Sequence, residues 1–220
     1  MDFGLSPEQQ MLRDAVDRLL REHCPLDHVR KVAAGGNNVS AAVVAAMAEL
    51  GLPGIVVPEE HGGLGLGLLD AAVVAEALGA AVAPAPFMAS AVLAPLALRL
   101  AGSPAQQAHW LPRIADGSAR VGVGLTEAVN RRDGGGVEAG GGTLRGTALF
   151  VLDSADADAF IIADQRGRMH LVAGDAERLE RVSLSTIDLT RSVGELRLDG
   201  VAAEPLGDDD GGTSRRLVAA

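Results

Sequence analysis

The side chains that most often carry out chemistry are few and scattered in this sequence. The five histidines lack the paired spacing of a metal site, and they stand at His23, His28, His61, His109 and His170. Cys24 is the only cysteine, so the sequence predicts neither a disulfide framework nor a cysteine-ligated metal. No Gly-x-Ser-x-Gly motif occurs, and no Gly-x-Gly-x-x-Gly follows a predicted strand and opens a helix. Hydrolysis at a nucleophile elbow and a Rossmann cofactor site are therefore unsupported.

One segment combines a hydroxyl, two carboxylates and two guanidinium groups within eight residues. It reads Thr126-Glu127-Ala128-Val129-Asn130-Arg131-Arg132-Asp133 and follows a stretch from Arg120 in which small and β-branched residues alternate, as in a strand. Two neighbouring arginines favour contacts to phosphate. The same pair also fits a solvated loop that touches no ligand, and both interpretations stay open at this point.

The residues before this segment predict an all-helical domain over 1–118. Ser6 is placed to cap a first helix, with Gln9 positioned for a capping box, and Ser40 is placed to cap another helix. Cys24-Pro25 ends the first helix, and a broken stretch follows through residue 38. The predicted helices are Pro7–His23, Ala41–Leu50, Leu69–Gly79, Phe87–Ala101 and one from Pro104 towards Ser118.

The residues from 119 to 210 predict a small β-barrel domain. Short runs rich in β-branched and apolar residues recur at intervals typical of such a barrel. Beyond the stretch from Arg120, strands are predicted at Thr143–Leu152, Ala159–Ala163, Met169–Val172 and Gly194–Leu198. Gly134–Gly142 predicts a hairpin loop. The fold class is therefore α+β, with an N-terminal all-α domain followed by a small β-barrel domain.

Composition and charge restrict the class of protein further. A net charge of −10 argues against nucleic acid or an anionic membrane as a partner. Hydrophobic residues make up 48% of the chain, too many for a disordered protein. The longest apolar segments, 71–82 and 89–100, are too short to span a bilayer, and the N-terminus is acidic. A cytoplasmic location is expected.

The connector at residues 50–67 carries a specific sequence. It contains Glu49-Leu50-Gly51 at its start, Pro58-Glu59-Glu60 in its middle and Gly62-Gly63-Leu64-Gly65 near its end, which no helix tolerates. On composition alone it is a plain helix–helix loop. The amino-acid sequence of this stretch resembles the connector in the N-terminal helical domain of the acyl-CoA dehydrogenase family. Those proteins depend on FAD and oxidise acyl-CoA thioesters to enoyl-CoA.

The resemblance extends along the whole chain in the order of the family. Trp110, the only tryptophan, stands in one matching segment and is interpreted as a domain-packing residue. An unrelated α+β binding module would require all the matches to be coincidence. The matching segments are Asp2–Gln9, Glu76–Gly79, Trp110–Pro112, Asp188–Arg191 and Pro205–Gly207.

The resemblance implies a cofactor, a substrate and an assembly. The cofactor is FAD and the substrate is an acyl-CoA, from which a glutamate removes the α-proton while flavin N5 takes the β-hydride. Arg132 and Asp133 are the implied substrate contacts. The chain is expected in an oligomer with itself or with another acyl-CoA dehydrogenase-type subunit. The implied cofactor contacts are Val123, Leu125, Thr126, Phe150 and Leu152.

Two departures from the family pattern affect the implied site. The family reads Thr/Ser-Glu-Pro-x-Ala-Gly-Ser-Asp where this chain reads Thr126–Asp133, so its proline, glycine and serine are replaced by Ala128, Arg131 and Arg132. Thr126 retains a hydroxyl for the flavin pyrimidine. The family's Trp/Phe-Ile-Thr/Ser becomes Phe150-Val151-Leu152, which keeps the aromatic ring and loses the hydroxyl. Because the family's glycine and serine are lost in this turn, the interpretation of Arg131 and Arg132 as solvated loop residues is favoured over a contact to phosphate.

The last residues resemble the start of a further family domain. In the family a C-terminal helical domain follows the barrel and carries the catalytic glutamate, and residues 211–220 resemble the first turn of its first helix. No residue of this sequence corresponds to that glutamate, so no catalytic residue is assigned and the chain alone is expected to be inactive. The alternative is a non-catalytic, flavin-poor partner subunit or scaffold of a mixed assembly.

Overall fold

The computed structural model describes residues 4–36, 38–129, 135–207 and 212–219. Helices occupy the first part of the chain, and strands dominate the part that follows residue 120. The main helices are Pro7–His23 (α1), Leu26–Ala34 (α2), Ala41–Glu49 (α3), Leu68–Ala80 (α4), Ala94–Ala101 (α5), Pro104–Ala115 (α6), Thr126–Val129 (α7) and Gly212–Ala219 (α8). The strands are Val121–Gly124 (β1), Val137–Gly140 (β2), Thr143–Leu152 (β3), Ala159–Ala163 (β4), Met169–Ala173 (β5), Leu179–Ser183 (β6), Val193–Ala202 (β7) and Glu204–Leu206 (β8). The predicted α+β class is confirmed.

The helical part is built around small apolar side chains and well-formed caps. The capping box predicted at Ser6 is present, with its hydroxyl accepting from the Gln9 N–H and the Gln9 side chain bonded to the Ser6 N–H. Residues of α1, α3 and α4 bury one continuous core that includes Val16 and Val74. A π-helical segment, Met88–Leu93, leads directly into α5.

The sequence predicts a broken stretch after α1, but the structure contains helix α2 there. This nine-residue helix buries only Val29, and its N-cap residue, Pro25, makes no side-chain capping hydrogen bond, so the sequence lacks the usual signal for a helix start there. Likewise, the predicted hairpin loop at 134–142 holds strand β2 in its described part, where Val137–Gly140 pair with β3. Among the described residues, every helix falls short of the length and apolar character that crossing a bilayer requires.

The eight strands form one curled sheet. Its path runs β6-β7-β3-β1-β4-β5-β8, with β2 added beside β3, and β1 pairs with β4 in parallel while the other pairs are antiparallel. One detail differs from the expected barrel, because the terminal strands β6 and β8 do not pair within the described residues. Strand β8 has three residues and includes Pro205, which has no N–H to donate to a closing ladder.

The sheet is covered on one face by the helices and encloses a second core on the other. All five residues of β4 are buried, and successive side chains alternate between these two cores. Ile161 packs towards α5 and α6, together with Leu111 and Ile114. Phe160 packs inside the curl of the sheet with Leu144 and other residues of β3 and β7. Strand β4 contributes side chains to both cores and pairs with β1, so it also fixes the position of β1.

Candidate functional site

The end of β1 and the second half of β3 lie side by side. Val123 is the partner of Leu152 in the antiparallel pairing of these strands. Beyond β1, the Thr126 hydroxyl donates a hydrogen bond of 2.7 Å to the Leu149 carbonyl. The structure therefore brings together two short segments, Val123–Thr126 and Leu149–Leu152, which contain all five of the predicted cofactor contacts. The predicted substrate contacts Arg132 and Asp133 lie outside the described residues.

Phe150 has an unusual backbone and an exposed ring. Its φ is +55°, in the left-handed region that non-glycine residues rarely adopt, and 59% of its surface is exposed. The pairing of β3 with β7 shifts between Ala148 and Val151, so Phe150 lies in a β-bulge. A bulge re-aims a side chain, and here it turns an aromatic ring towards solvent instead of into either core.

The three aliphatic residues among the predicted cofactor contacts differ in how much of their side-chain surface is accessible to a ligand. Val123 is 2% exposed and belongs to the core between the sheet and the helices, so its side chain has no free surface. Leu125 and Leu152 are half-buried and pack against that same core. Together with Phe150 they form an apolar ledge at the end of β1.

Thr126 is placed differently from the expectation that its hydroxyl donates to a cofactor. Its proton is used in the hydrogen bond to Leu149, whose carbonyl can only accept. The Thr126 oxygen keeps lone pairs, so in this geometry it can accept a hydrogen bond from a ligand N–H group. The contact also ties the start of α7 to the bulge that carries Phe150.

Asp153, which the sequence did not single out, joins this strand to the helical part. Its carboxylate accepts hydrogen bonds from the N–H groups of Ala89 (3.0 Å) and Ser90 (3.3 Å), in the first turn of the π-helical segment. Burial raises the pKa of the Asp153 carboxyl above its ordinary value, although both amides and the nearby Arg191 and Arg120 lower it. Asp153, three residues after Phe150, thus links the end of β3 to the helical part through two hydrogen bonds.

A second polar cluster holds the turn between β4 and β5. Asp164 is 1% exposed, and its Oδ2 accepts from the Arg168 Nε at 2.8 Å and from the His170 Nε2 at 3.1 Å. Its Oδ1 accepts from the N–H groups of Arg166 and Arg168. Burial raises the pKa of the Asp164 carboxyl, but these hydrogen bonds together outweigh it and leave the pKa below its ordinary value. The cluster stabilises a hairpin, and within the described part of the chain no group of acidic, histidine or cysteine side chains is arranged to hold a metal.

Comparison with known proteins settles the family. The family described as "Acyl-CoA dehydrogenase, N-terminal domain" matches residues 6–118, more than half of the chain. The chain belongs to the acyl-CoA dehydrogenase family. It is 31% identical over 212 residues to acyl-CoA dehydrogenase FadE27 of Mycobacterium tuberculosis, covering 93% of this chain and 56% of that protein. It is 30% identical to acyl-CoA dehydrogenase IpdE2 of Mycolicibacterium smegmatis, covering 98% of this chain and 60% of that protein.

Solved structures show the same relationship. The crystal structure of the ChsE4-ChsE5 complex from Mycobacterium tuberculosis matches this acyl-CoA dehydrogenase family member with a TM-score of 0.86 and 29% identity, over 99% of this chain and 61% of that one. A steroid acyl-CoA dehydrogenase structure, Tcur3481-Tcur3483, matches with a TM-score of 0.82 and 28% identity, over 96% and 60%. The chain thus spans 56–61% of the length of these four relatives.

Proposed function

We propose that this chain forms the helical and β parts of an FAD-dependent acyl-CoA dehydrogenase that desaturates an acyl-CoA thioester between its α- and β-carbons. The observation that supports this proposal is the apolar ledge of Phe150, Leu125 and Leu152, with the Thr126 hydroxyl beside it. Apolar side chains next to a single hydrogen-bonding oxygen fit one side of a flavin ring system. When bound, the flavin would accept the hydride from the substrate.

In this proposal the chain's own residues position and shield the cofactor. Phe150 covers one face or edge of the ring and excludes water, and Thr126 accepts a hydrogen bond from a ring N–H. Removal of the substrate α-proton is assigned to no residue of this sequence, because the likeness to the family places the glutamate at none of them. Family membership and the names of the similar proteins support the substrate class.

A second candidate is a flavin-poor partner subunit in a mixed assembly. Two observations favour it, namely that the Thr126 hydroxyl proton is already used by Leu149 and that Leu152 stands where the family has a hydroxyl. The similarity to a structure titled as a ChsE4-ChsE5 complex supports an assembly of two different subunits. In such an assembly the other subunit would hold the complete site.

The visible absorbance spectrum of the purified chain separates these two candidates. It is recorded as purified, and again after incubation with FAD followed by desalting. A retained flavin band supports a cofactor wall built on Phe150 and Thr126. A colourless protein in both spectra contradicts flavin binding by this chain and supports the partner subunit.

The substitution Phe150→Gly is expected to lower flavin retention without lowering stability. Glycine adopts a φ of +55° without strain, and little buried surface is lost, so the free energy of unfolding should stay constant or rise by about 1 kcal/mol. The flavin retained after desalting should fall, because the aromatic ring is lost. Denaturant unfolding and absorbance measure the two effects, with Val129→Gly as a control that removes another exposed apolar side chain. Equal flavin retention in Phe150→Gly and in the parent chain would contradict the role given to the ring.

A further inference from the structure

A separate cavity, widely open to solvent, lies where α6 meets the β5–β8 edge of the sheet. It has a volume of about 550 Å³, and none of its lining residues belongs to the predicted cofactor site. Trp110 and His109 of α6 border it on one side, and Leu171 and Glu204 of the sheet border it on the other. Cavities of this size at the junction of two structural units are the usual places for small ligands.

The Glu204 carboxylate is exposed at this cavity and accepts a hydrogen bond from the helical side of it. Its Oε2 accepts a hydrogen bond of 3.1 Å from the Gln106 Nε2, which also donates to the Pro205 carbonyl. The Gln106 Oε1 accepts from the Ser103 N–H in the capping box of α6, and Gln106 is 9% exposed. Because the Gln106 amide is engaged at both ends, it offers the Glu204 Oε2 a donor in a fixed position before any ligand arrives.

The Trp110 indole and the exposed His109 imidazole of α6 contact each other and Arg113. The Arg113 guanidinium lies 5.0 Å from the centre of the Trp110 ring, and the His109 ring meets the indole edge-on. The Arg113 Nη1 is 3.0 Å from the His109 Nε2. A guanidinium can only donate, so the His109 Nε2 accepts and its Nδ1 carries the proton. The cavity therefore offers an aromatic surface, an N–H donor and a carboxylate acceptor.

The charges around the cavity restrict the chemistry of its ligand. Glu204, in a chain with a net charge of −10, repels phosphate and other anions. Arg113 already occupies a position over the indole and repels a second cation there. A neutral planar ring avoids both repulsions and can stack on the indole.

We propose that this cavity binds a neutral planar heterocycle that presents two adjacent N–H donors, as the base of guanosine does. The two donors would bond to the two oxygens of Glu204, and a carbonyl or ring nitrogen of the ligand would accept from His109. Adenine presents one amino group next to an acceptor nitrogen, and hypoxanthine presents one N–H. The isoalloxazine N–H lies between two carbonyls that the carboxylate repels, so this site is independent of the flavin proposal.

The single tryptophan allows the proposal to be tested directly. Trp110 gives one indole N–H signal in a proton–nitrogen correlation spectrum of the labelled 220-residue chain, and its shift is followed during titration with guanosine. A saturable shift is expected, and inosine and adenosine should bind at least about tenfold more weakly because one hydrogen bond to Glu204 is missing. No saturable shift, or equal binding of the three nucleosides, would overturn the proposal.

Three variants test the named contacts. Glu204→Gln should weaken guanosine binding about tenfold, whereas Glu76→Gln, the same charge change on the exposed side of α4, should leave it unchanged. Ala105→Leu, at an exposed helix position that lines the cavity, should remove binding by filling the space. Correlation spectra of each variant verify that the chain is folded. Unchanged binding in a folded Glu204→Gln protein would show that the carboxylate does not form hydrogen bonds with the ligand.

Discussion

Gly63→Ala should lower the free energy of unfolding by about 3 kcal/mol, because the site has no room for one methyl group. A Cβ atom at Gly63 would lie 2.1 Å from the Val57 carbonyl oxygen and 2.4 Å from the Val57 Cβ. Val57 is fully buried, and its carbonyl accepts the Gly65 N–H at 2.8 Å, so it cannot move aside without losing that bond. Urea unfolding followed by circular dichroism measures the change.

Gly79→Ala supplies the matched control for this prediction. Gly79 lies inside α4, and a Cβ there would meet no heavy atom within 4 Å. The same chemical change should therefore raise the free energy of unfolding by about 0.5–1 kcal/mol, since alanine has the higher helix propensity. If the two variants had equal stability, close backbone approach would not be the reason for the glycine in the connector.

The close approach at Gly63 shows why the connector sequence is so specific. The N–H groups of Leu64, Gly65 and Leu66 bond to the carbonyls of Gly54, Val57 and Ile55 at 2.8–2.9 Å. The two halves of the connector therefore lie against each other, which a plain loop would not require. The sequence shows that the connector is not an α-helix, but not that Gly63 approaches Val57.

Local signals in the sequence predicted the elements whose ends are fixed by side chains. Ser6 with Gln9, and Ser40 before α3, marked helix starts that the structure reproduces. Elements without such signals escaped prediction. Helix α2 begins without a side-chain cap, and β2 lies in a glycine-rich segment and pairs with β3.

The candidate site, too, could be predicted from the sequence only in part. The likeness to a known family placed Thr126, Phe150 and Leu152 in one region, and the structure brings their segments together. Neither the left-handed backbone of Phe150 nor the use of the Thr126 proton by Leu149 could be inferred, because both depend on a bulge between β3 and β7. Asp153 was missed because its partners lie more than 60 positions earlier in the chain.

Asp153→Ala should lower the free energy of unfolding by about 1–3 kcal/mol, because the N–H groups of Ala89 and Ser90 lose their acceptor. Asp156→Ala is the matched control. Asp156 has nearly the same left-handed φ, +51° against +53°, but it is exposed, so it reports the backbone effect alone. A loss of stability of the same size in both variants would assign the effect to the backbone and contradict the role of the carboxylate.

The companion variant Asp153→Asn separates the hydrogen bonds from the charge, because asparagine keeps an accepting oxygen and does not ionise. The pKa of Asp153 is raised in the folded chain, mainly by burial, so the folded state holds the proton to a higher pH than the unfolded state. The stability that Asp153 contributes is therefore complete below the unfolded pKa of about 4 and falls as the pH rises through the folded pKa. The difference in unfolding free energy between Asp153→Asn and the parent chain should move in favour of the variant over that range and then level off. Urea unfolding at a series of pH values measures this difference, and a difference that moves the other way would mean that Arg191 and Arg120 outweigh burial at this carboxyl.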